Sequence, residues 1–276
     1  MQNSKKLEKS KGIVVFAFNT SFVDYVGIAD FTSRLSHKFL NLPITLITDN
    51  TATPKFNYDK IIRLDYSGDN FRLNSKEGVS AEWKNFGRYL AYELSPYEDT
   101  ILLDGDYLTL DDSLLKLWQQ PFDYKLMYQS ITPEEYMHNK MSVNGLDFVW
   151  ATVVLFRKSD KAKMLFDTVG RIQRNYPYYK TLYNGDGSYR NDYAFAIADM
   201  LLNGYKITRK QGIPWRMLTI DNNISDIKIK DNNLIIREAE KAIVSPWQNL
   251  HVMDKKFLMS DNFKKFVEEV EHNVSH

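Results

Sequence analysis

Apolar positions along this chain switch between two periods. Residues 13–17 form an unbroken, β-branched apolar run of strand length. Over 24–40 the apolar residues Tyr25, Ile28, Ala29, Leu35 and Phe39 fall at helical spacing, and 44–48 gives a second strand, closed by Asp49-Asn50. A third strand is expected at 61–64. Trp83, Phe86, Leu90 and Leu94 recur at three and four residues, which predicts a helix that Pro96 ends. The most apolar strand, Ile101-Leu102-Leu103, then runs straight into Asp104-Gly105-Asp106.

Beyond that point the pattern is less regular. It predicts a strand over 148–156, helices over 161–175 and 192–202, a hairpin over 227–236 broken at Asp231-Asn232-Asn233, and a terminal amphipathic helix over 262–271. Strands alternating with helices define an α/β class, with one mostly parallel sheet flanked by helices and a smaller mixed region. No internal repeat or linker rich in Pro, Gly or Ser divides the chain. We therefore expect one continuous fold with a nucleotide-binding half (12–110), an acceptor half (111–256) and a C-terminal helix (257–276).

With 276 residues, 43% of them hydrophobic, the chain can bury a large core. Its 36 Lys and Arg nearly cancel 35 Asp and Glu, so overall charge names no partner. There is no cysteine, which excludes disulfide staples, thiolate nucleophiles and Cys-type zinc sites. Any metal must then sit on oxygen and imidazole, and a reducing, cytoplasmic setting fits. The basic start (Lys5, Lys6, Lys9, Lys11) precedes an apolar run too short for a signal peptide or a membrane span, and reads as a solvated tail. Charge is uneven locally. Residues 157–216 hold twelve basic side chains against five acidic ones, interleaved with Tyr176, Tyr178, Tyr179 and Tyr183. That pattern suits an anionic acceptor such as nucleic acid, or equally an ordinary basic helix face.

A D-x-D pair is weak evidence by itself, and its position carries the case. Open parallel sheets gather ligands at the carboxyl ends of their strands, where Asp104 and Asp106 stand. Separated by Gly105, both carboxylates can turn toward one point and offer hard oxygen ligands to Mn2+ or Mg2+; the alternative is a turn with solvated acids. Asn19 and Thr20, just past the first strand, are placed either to bond a nucleotide or to cap the following helix with Asp24. Lys84 and Arg88, four apart on one expected helix face, repel each other unless an anion lies over them. Asn184-Gly185-Asp186-Gly187-Ser188 begins like a calcium loop but has Phe195 where the closing Glu belongs. Neither a glycine-rich phosphate loop nor a His-Glu-x-x-His motif occurs.

Thr100-Ile101-Leu102-Leu103-Asp104-Gly105-Asp106 resembles the strand and D-x-D of GT-A glycosyltransferases, in particular the glycogenin-like retaining family. The resemblance covers about residues 12–256 and implies a GT-A fold, a Mn2+ or Mg2+ ion and a nucleotide-sugar donor, of the UDP type. It implies that Arg88 contacts donor sugar or diphosphate, that His251 is the third metal ligand, and that Lys255 or Lys256 meets the phosphates. Asp192, with its neighbour Asn191, is a candidate catalytic group in such a site, as an acceptor-side base or a carboxylate facing the anomeric centre. A first-turn acid favoured by the helix dipole is the plainer reading of Asp192. The chain departs from that family at Trp150-Ala151-Thr152 and Arg190-Asn191-Asp192, where the family has Asn-Ala-Gly and Asp-Gln-Asp. It also lacks the Gly and Pro-Trp that surround the family's Lys.

The chain is similar, too, to uncharacterised proteins of large tailed phages, through Ser95-Pro96-Tyr97, Val149-Trp150-Ala151-Thr152 and Tyr189-Arg190-Asn191-Asp192. With the basic half, that similarity ranks a hydroxymethylated base in phage-type DNA slightly ahead of a glycan or lipid acceptor, and implies the host cytoplasm. Two rival classes stay open. A nucleotidyltransferase would want a glycine-rich loop where Phe18-Asn19-Thr20-Ser21-Phe22 stands, and a non-catalytic nucleic-acid-binding module would need only the basic half.

Overall fold

A computed structural model describes residues 10–65, 71–74, 79–133, 146–185, 187–206, 211–220, 223–238 and 241–273. The chain opens with β1 (Lys11–Phe16), α1 (Tyr25–Leu40), β2 (Ile44–Thr48) and β3 (Lys60–Arg63). A hairpin of β4 (Phe71–Asn74) and β5 (Val79–Glu82) follows, then a 3-10 turn (Arg88–Leu90) continuing into α2 (Ala91–Leu94). Next come β6 (Asp99–Asp104), β7 (Tyr107–Leu108), α3 (Ser113–Lys116), β8 (Tyr124–Met127) and β9 (Ser130–Ile131). β10 (Trp150–Arg157) leads into α4 (Asp160–Arg174), α5 (Tyr176–Leu182) and α6 (Asn191–Leu202). The chain continues through β11 (Met217–Ile220), β12 (Ile224–Lys230), β13 (Asn233–Glu238), β14 (Lys241–Pro246) and β15 (Leu250–Val252), to α7 (Lys255–Leu258) and α8 (Asp261–Asn273).

Six strands form the central sheet in the order β3-β2-β1-β6-β10-β8, with β3, β2, β1 and β6 parallel and β10 antiparallel to both of its neighbours. Ile13, Val14, Ile44, Leu46, Ile101 and Leu102 are fully buried, as expected of strands covered on both faces. The chain winds from β1 outward to β2 and β3, then returns to place β6 on the other side of β1. The crevice between the carboxyl ends of β1 and β6 is therefore the topological switch point, where ligands of open α/β sheets collect.

α1 starts where Asp24 accepts a hydrogen bond from the Gly27 amide at 2.9 Å and stops at Asn41, which takes the left-handed conformation at φ 48. Gly12 admits the Tyr97 ring, whose hydroxyl lies 2.9 Å from Thr45 Oγ1; a Cβ at Gly12 would come within 2.4 Å of that ring. A second sheet, β7-β15-β11-β9, leans on the first through the β6–β7 turn, and β12-β13-β14 forms a meander. Asp231 and Asn232, both at positive φ, close the β12–β13 hairpin, as their turn-forming chemistry predicts. α8 buries Phe263, Phe266, Val267 and Val270 in a second core shared with Ile28 and Leu35 of α1, and Arg34 pairs with Glu271.

The expected helix over 83–94 is mostly absent, because residues 83–87 are irregular and helix begins only at Arg88. Tertiary contacts outweigh the periodicity there: the Asn85 carbonyl accepts from Asn191 Nδ2 at 2.7 Å, and Trp83 packs on Tyr189 at 5.8 Å between ring centroids. Lys84 and Arg88 consequently do not share a helix face. The strand expected from 148 begins at Trp150. Of the basic tail, Lys5, Lys6 and Lys9 lie outside the described residues, as do Arg209, Lys210 and Asp186.

One buried acid carries a stability prediction. Asp30 of α1 is buried, with Oδ2 accepting the Lys55 amide at 2.7 Å, and burial raises its pKa against the opposing pull of the Lys55 and Phe56 amides and Tyr58. A carboxyl whose folded pKa lies above its unfolded one contributes stability below the unfolded value and loses it as pH rises through the folded value. Asp30→Asn, neutral throughout, should melt with the parent at about pH 3 and at a higher temperature at about pH 7. Thermal denaturation at both pH values checks this, and equal melting at neutral pH would count against a buried charge.

Candidate active site

The site grows from the end of β6. Register pairs Phe16 with Asp104, so the first acid of the D-x-D stands at the switch point. Gly105 does not adopt a left-handed conformation; its missing side chain instead lets α1 approach, with the Ala29 Cβ 3.4 Å from where a Cβ would sit. The Gly105 carbonyl accepts from Thr32 Oγ1 at 2.9 Å. After this turn β7 pairs antiparallel with β15, setting Tyr107 opposite His251, and the Asp106 carbonyl accepts from the Val252 amide at 3.0 Å. Two short strands thus bring a histidine from the end of the chain to the second acid.

The side chains meet in two pairs. Asp104 accepts from the Nη1 of Arg88, a guanidinium only 1% exposed, while Asp104 itself is 24% exposed. Asp106 Oδ2 accepts from Lys255 Nζ at 2.5 Å, and its Oδ1 lies 3.5 Å from His251 Nε2. The other ring nitrogen of His251 is 3.4 Å from Thr219 Oγ1, and the ring meets Trp150 edge-on at 5.7 Å, so its orientation is held from two sides. Burial alone would raise the Asp106 pKa, but Lys255 and His251 drive it well below the usual carboxylate range. Burial lowers the Arg88 pKa to about 10 against the attraction of Asp192 and Asp106, which leaves the guanidinium charged at neutral pH.

The carboxylates do not converge as expected. Among the described residues no group of three His, Asp or Glu lies close enough together to hold a metal ion, because Asp104 turns to Arg88 and Asp106 to Lys255 and His251. The donor set nonetheless fits a divalent cation. Asp106 Oδ1 is buried without a hydrogen-bond partner and faces the imidazole nitrogen of His251, a hard oxygen beside a nitrogen ligand. Lys255, rather than the exposed Lys256, is the lysine that reaches this centre.

The remaining candidates surround it. Asp192, in the first turn of α6, accepts from the Ala151 amide through Oδ1 at 3.0 Å and from Arg190 Nε through Oδ2 at 3.2 Å. Asn191 donates to the Asn85 carbonyl and accepts from the Tyr189 hydroxyl at 3.2 Å. Asn19 accepts from the Val26 amide at 2.8 Å and Thr20 from the Val23 amide at 3.1 Å, so the side-chain oxygens of both are engaged in the entry to α1. Lys84 lies 3.5 Å from Asp49 at the end of β2, and that pairing helps to hold the Asp49 pKa down against burial, together with bonds from Thr51. No motif or spacing in the sequence points to Thr219 or Asn85, which the fold brings to the site with Asp49. Only Asp49, an acid closing a strand, carried any signal in the sequence.

No protein-family model matches the chain, and neither does any curated protein. Among solved structures, an active-site mutant of LgtC superposes with a TM-score of 0.51 at 15% identity, covering 96% of this chain and 98% of that one. The two share a fold. It is the GT-A type, a mainly parallel central sheet flanked by helices, and at such identity the likeness extends to fold alone. The galactosyltransferase LgtC with donor and acceptor sugar analogues matches over 68% of this chain and 69% of that chain, with 16% identity and a TM-score of 0.45. The glycosyltransferase GlyE of Streptococcus pneumoniae TIGR4 matches at 14% identity and a TM-score of 0.40 over 75% of this chain, which spans only 45% of GlyE.

Proposed function

We propose that the chain is a metal-dependent glycosyltransferase that moves a sugar from a UDP-sugar to an acceptor hydroxyl. The observation that carries the reading is the gathering of Asp104, Asp106, His251, Arg88 and Lys255 at the switch point of a GT-A sheet. Asp106 and His251, with Asp104 beside them, would hold Mn2+ or Mg2+, whose charge when bound offsets that of a departing diphosphate. Arg88 and Lys255 add fixed positive charge on the same side, so that cleavage of the bond between anomeric carbon and phosphate oxygen is electrostatically favoured. Asp192 has both oxygens engaged, by the Ala151 amide and Arg190, and serves to position β10 and Arg88. Division into a donor half (12–110) and an acceptor half (111–256) belongs to the same reading. Kinship with the glycogenin-like branch rests on the D-x-D, Arg88 and His251 alone.

For the acceptor a glycan hydroxyl is favoured over DNA. Arg157 donates to the Trp118 carbonyl, Lys158 to the Tyr92 carbonyl, Lys163 to Asp167 and Arg190 to Asp192. A phosphate backbone would have to displace these local partners before it was neutralised. Among the described residues no helix is long and apolar enough to cross a membrane.

The test is incubation with a panel of UDP-sugars, Mn2+ and either oligosaccharides or hydroxymethylated DNA, scored for UDP and for labelled acceptor. UDP release that stops with chelator and transfers label to oligosaccharide is expected. Label on DNA would replace the acceptor assigned here, and pyrophosphate release or turnover indifferent to chelator would end the reading.

A further inference from the structure

Resting on the UDP-sugar reading above, we propose that Asn85 recognises a hydroxyl of the transferred sugar and so helps set donor specificity. Among the described residues, three of the buried polar atoms without a hydrogen-bond partner come from one short stretch: Asn85 Oδ1, Arg88 Nε and Arg88 Nη2. A buried polar group left unpaired costs about 1–3 kcal/mol, so folded chains keep few of them. Three within four residues, on a stretch whose Arg88 bonds Asp104, mark a place whose partners arrive with a ligand.

The kind of ligand follows from the mixture. Arg88 spends Nη1 on Asp104 and presents two further donor nitrogens, Nε and Nη2, whereas Asn85 presents an acceptor. A phosphate could answer the guanidinium but would set its own oxygens against that of Asn85. Hydroxyl groups donate and accept at once, and adjacent hydroxyls on a sugar ring can satisfy both residues together.

The stretch is held in place for this role. Asn191, at the start of α6, fixes the Asn85 backbone carbonyl at 2.7 Å. Lys84 is paired with Asp49 at 3.5 Å, and Trp83 rests on Tyr189. No local helix fixes residues 83–87, so these contacts from Asp49, Tyr189 and Asn191 hold the backbone that carries the Asn85 amide. Such preorganisation spares a ligand the cost of ordering its own site.

Calorimetric titration in Mn2+ with UDP alone, UDP-glucose, UDP-galactose and UDP-N-acetylglucosamine tests the assignment. The parent should bind at least one UDP-sugar more tightly than UDP. Asn85→Leu, similar in volume and apolar, should hold UDP within about twofold while losing roughly tenfold of the preference for that UDP-sugar. Its melting temperature should not fall, since leucine removes a buried atom that had no partner. Asn85→Ala, run in parallel, guards against a misfit of leucine. The inference is overturned if the variants weaken UDP and UDP-sugar equally, keep the parent's preference or fail to fold, or if the parent shows no preference for any of the three sugars. Should no UDP species bind in Mn2+, the donor reading itself fails and this inference goes with it, an outcome distinct from UDP binding without an Asn85-dependent preference.

Discussion

Asp106→Asn is expected to lower sugar transfer by about a thousandfold, the scale on which loss of one preorganised charge group in a dry site is felt. The amide keeps the shape of the carboxylate and removes the charge that faces both Lys255 and His251. Two consequences should separate this from simple misfolding. Lys255 is partly exposed and can turn to water once its partner is neutral, so the variant should fold. Mn2+ should raise the melting temperature of the parent by mass action on the folded state, and raise that of the variant far less. The measurements are steady-state UDP release and melting curves with and without Mn2+. A variant that retains Mn2+-dependent turnover within about tenfold of the parent would show that this carboxylate is not at the chemical centre.

The parts of the fold legible in the sequence are those where one physical demand acts alone. β1, β2 and β6 are buried on both faces, so they appear as continuous apolar runs, and α1 carries its start signal in Asp24. β7, β9 and β15 have two or three residues each, too few for any periodicity to show, yet the pairing of β7 with β15 is what carries His251 to Asp106. The helix expected over 83–94 fails for the opposite reason. Its spacing is real, but Asn191 and Tyr189 claim the backbone and side chains of 83–87 from a distant part of the chain.

The same division applies to the site. Asp104 and Asp106 stand out because an acid pair at the end of an apolar strand has a topological meaning. The pairing of Asp104 with Arg88, and of Asp106 with Lys255, depends on side-chain directions that no spacing rule contains. Twelve basic residues in 157–216 fit a polyanion surface or an ordinary basic face equally well on a count, because charge counts ignore local partners. In the fold several of those charges are taken up by carbonyls and carboxylates within their own neighbourhood.

Asp104→Asn should destabilise the protein more than Arg88→Met, although both break one ion pair. Removing the acid leaves a guanidinium with 1% exposure facing a neutral amide, and Nε and Nη2 already have no partner. Breaking a buried pair in that way costs about 3–5 kcal/mol, and the attraction of Asp192 and Asp106 for Arg88 puts the expectation at the lower end, about 3 kcal/mol. Removing the arginine leaves a carboxylate that is 24% exposed and can be hydrated, while methionine fills the apolar part of the space, so about 1–2 kcal/mol is expected. The double variant should cost less than the two single changes added together, because neither charge is then left alone. Urea denaturation of the four proteins at neutral pH measures all three quantities. If Arg88→Met proves the more costly, the guanidinium is supported chiefly by groups other than Asp104. The assignment of Arg88 as a cation held in place by the D-x-D carboxylate would then have to be withdrawn.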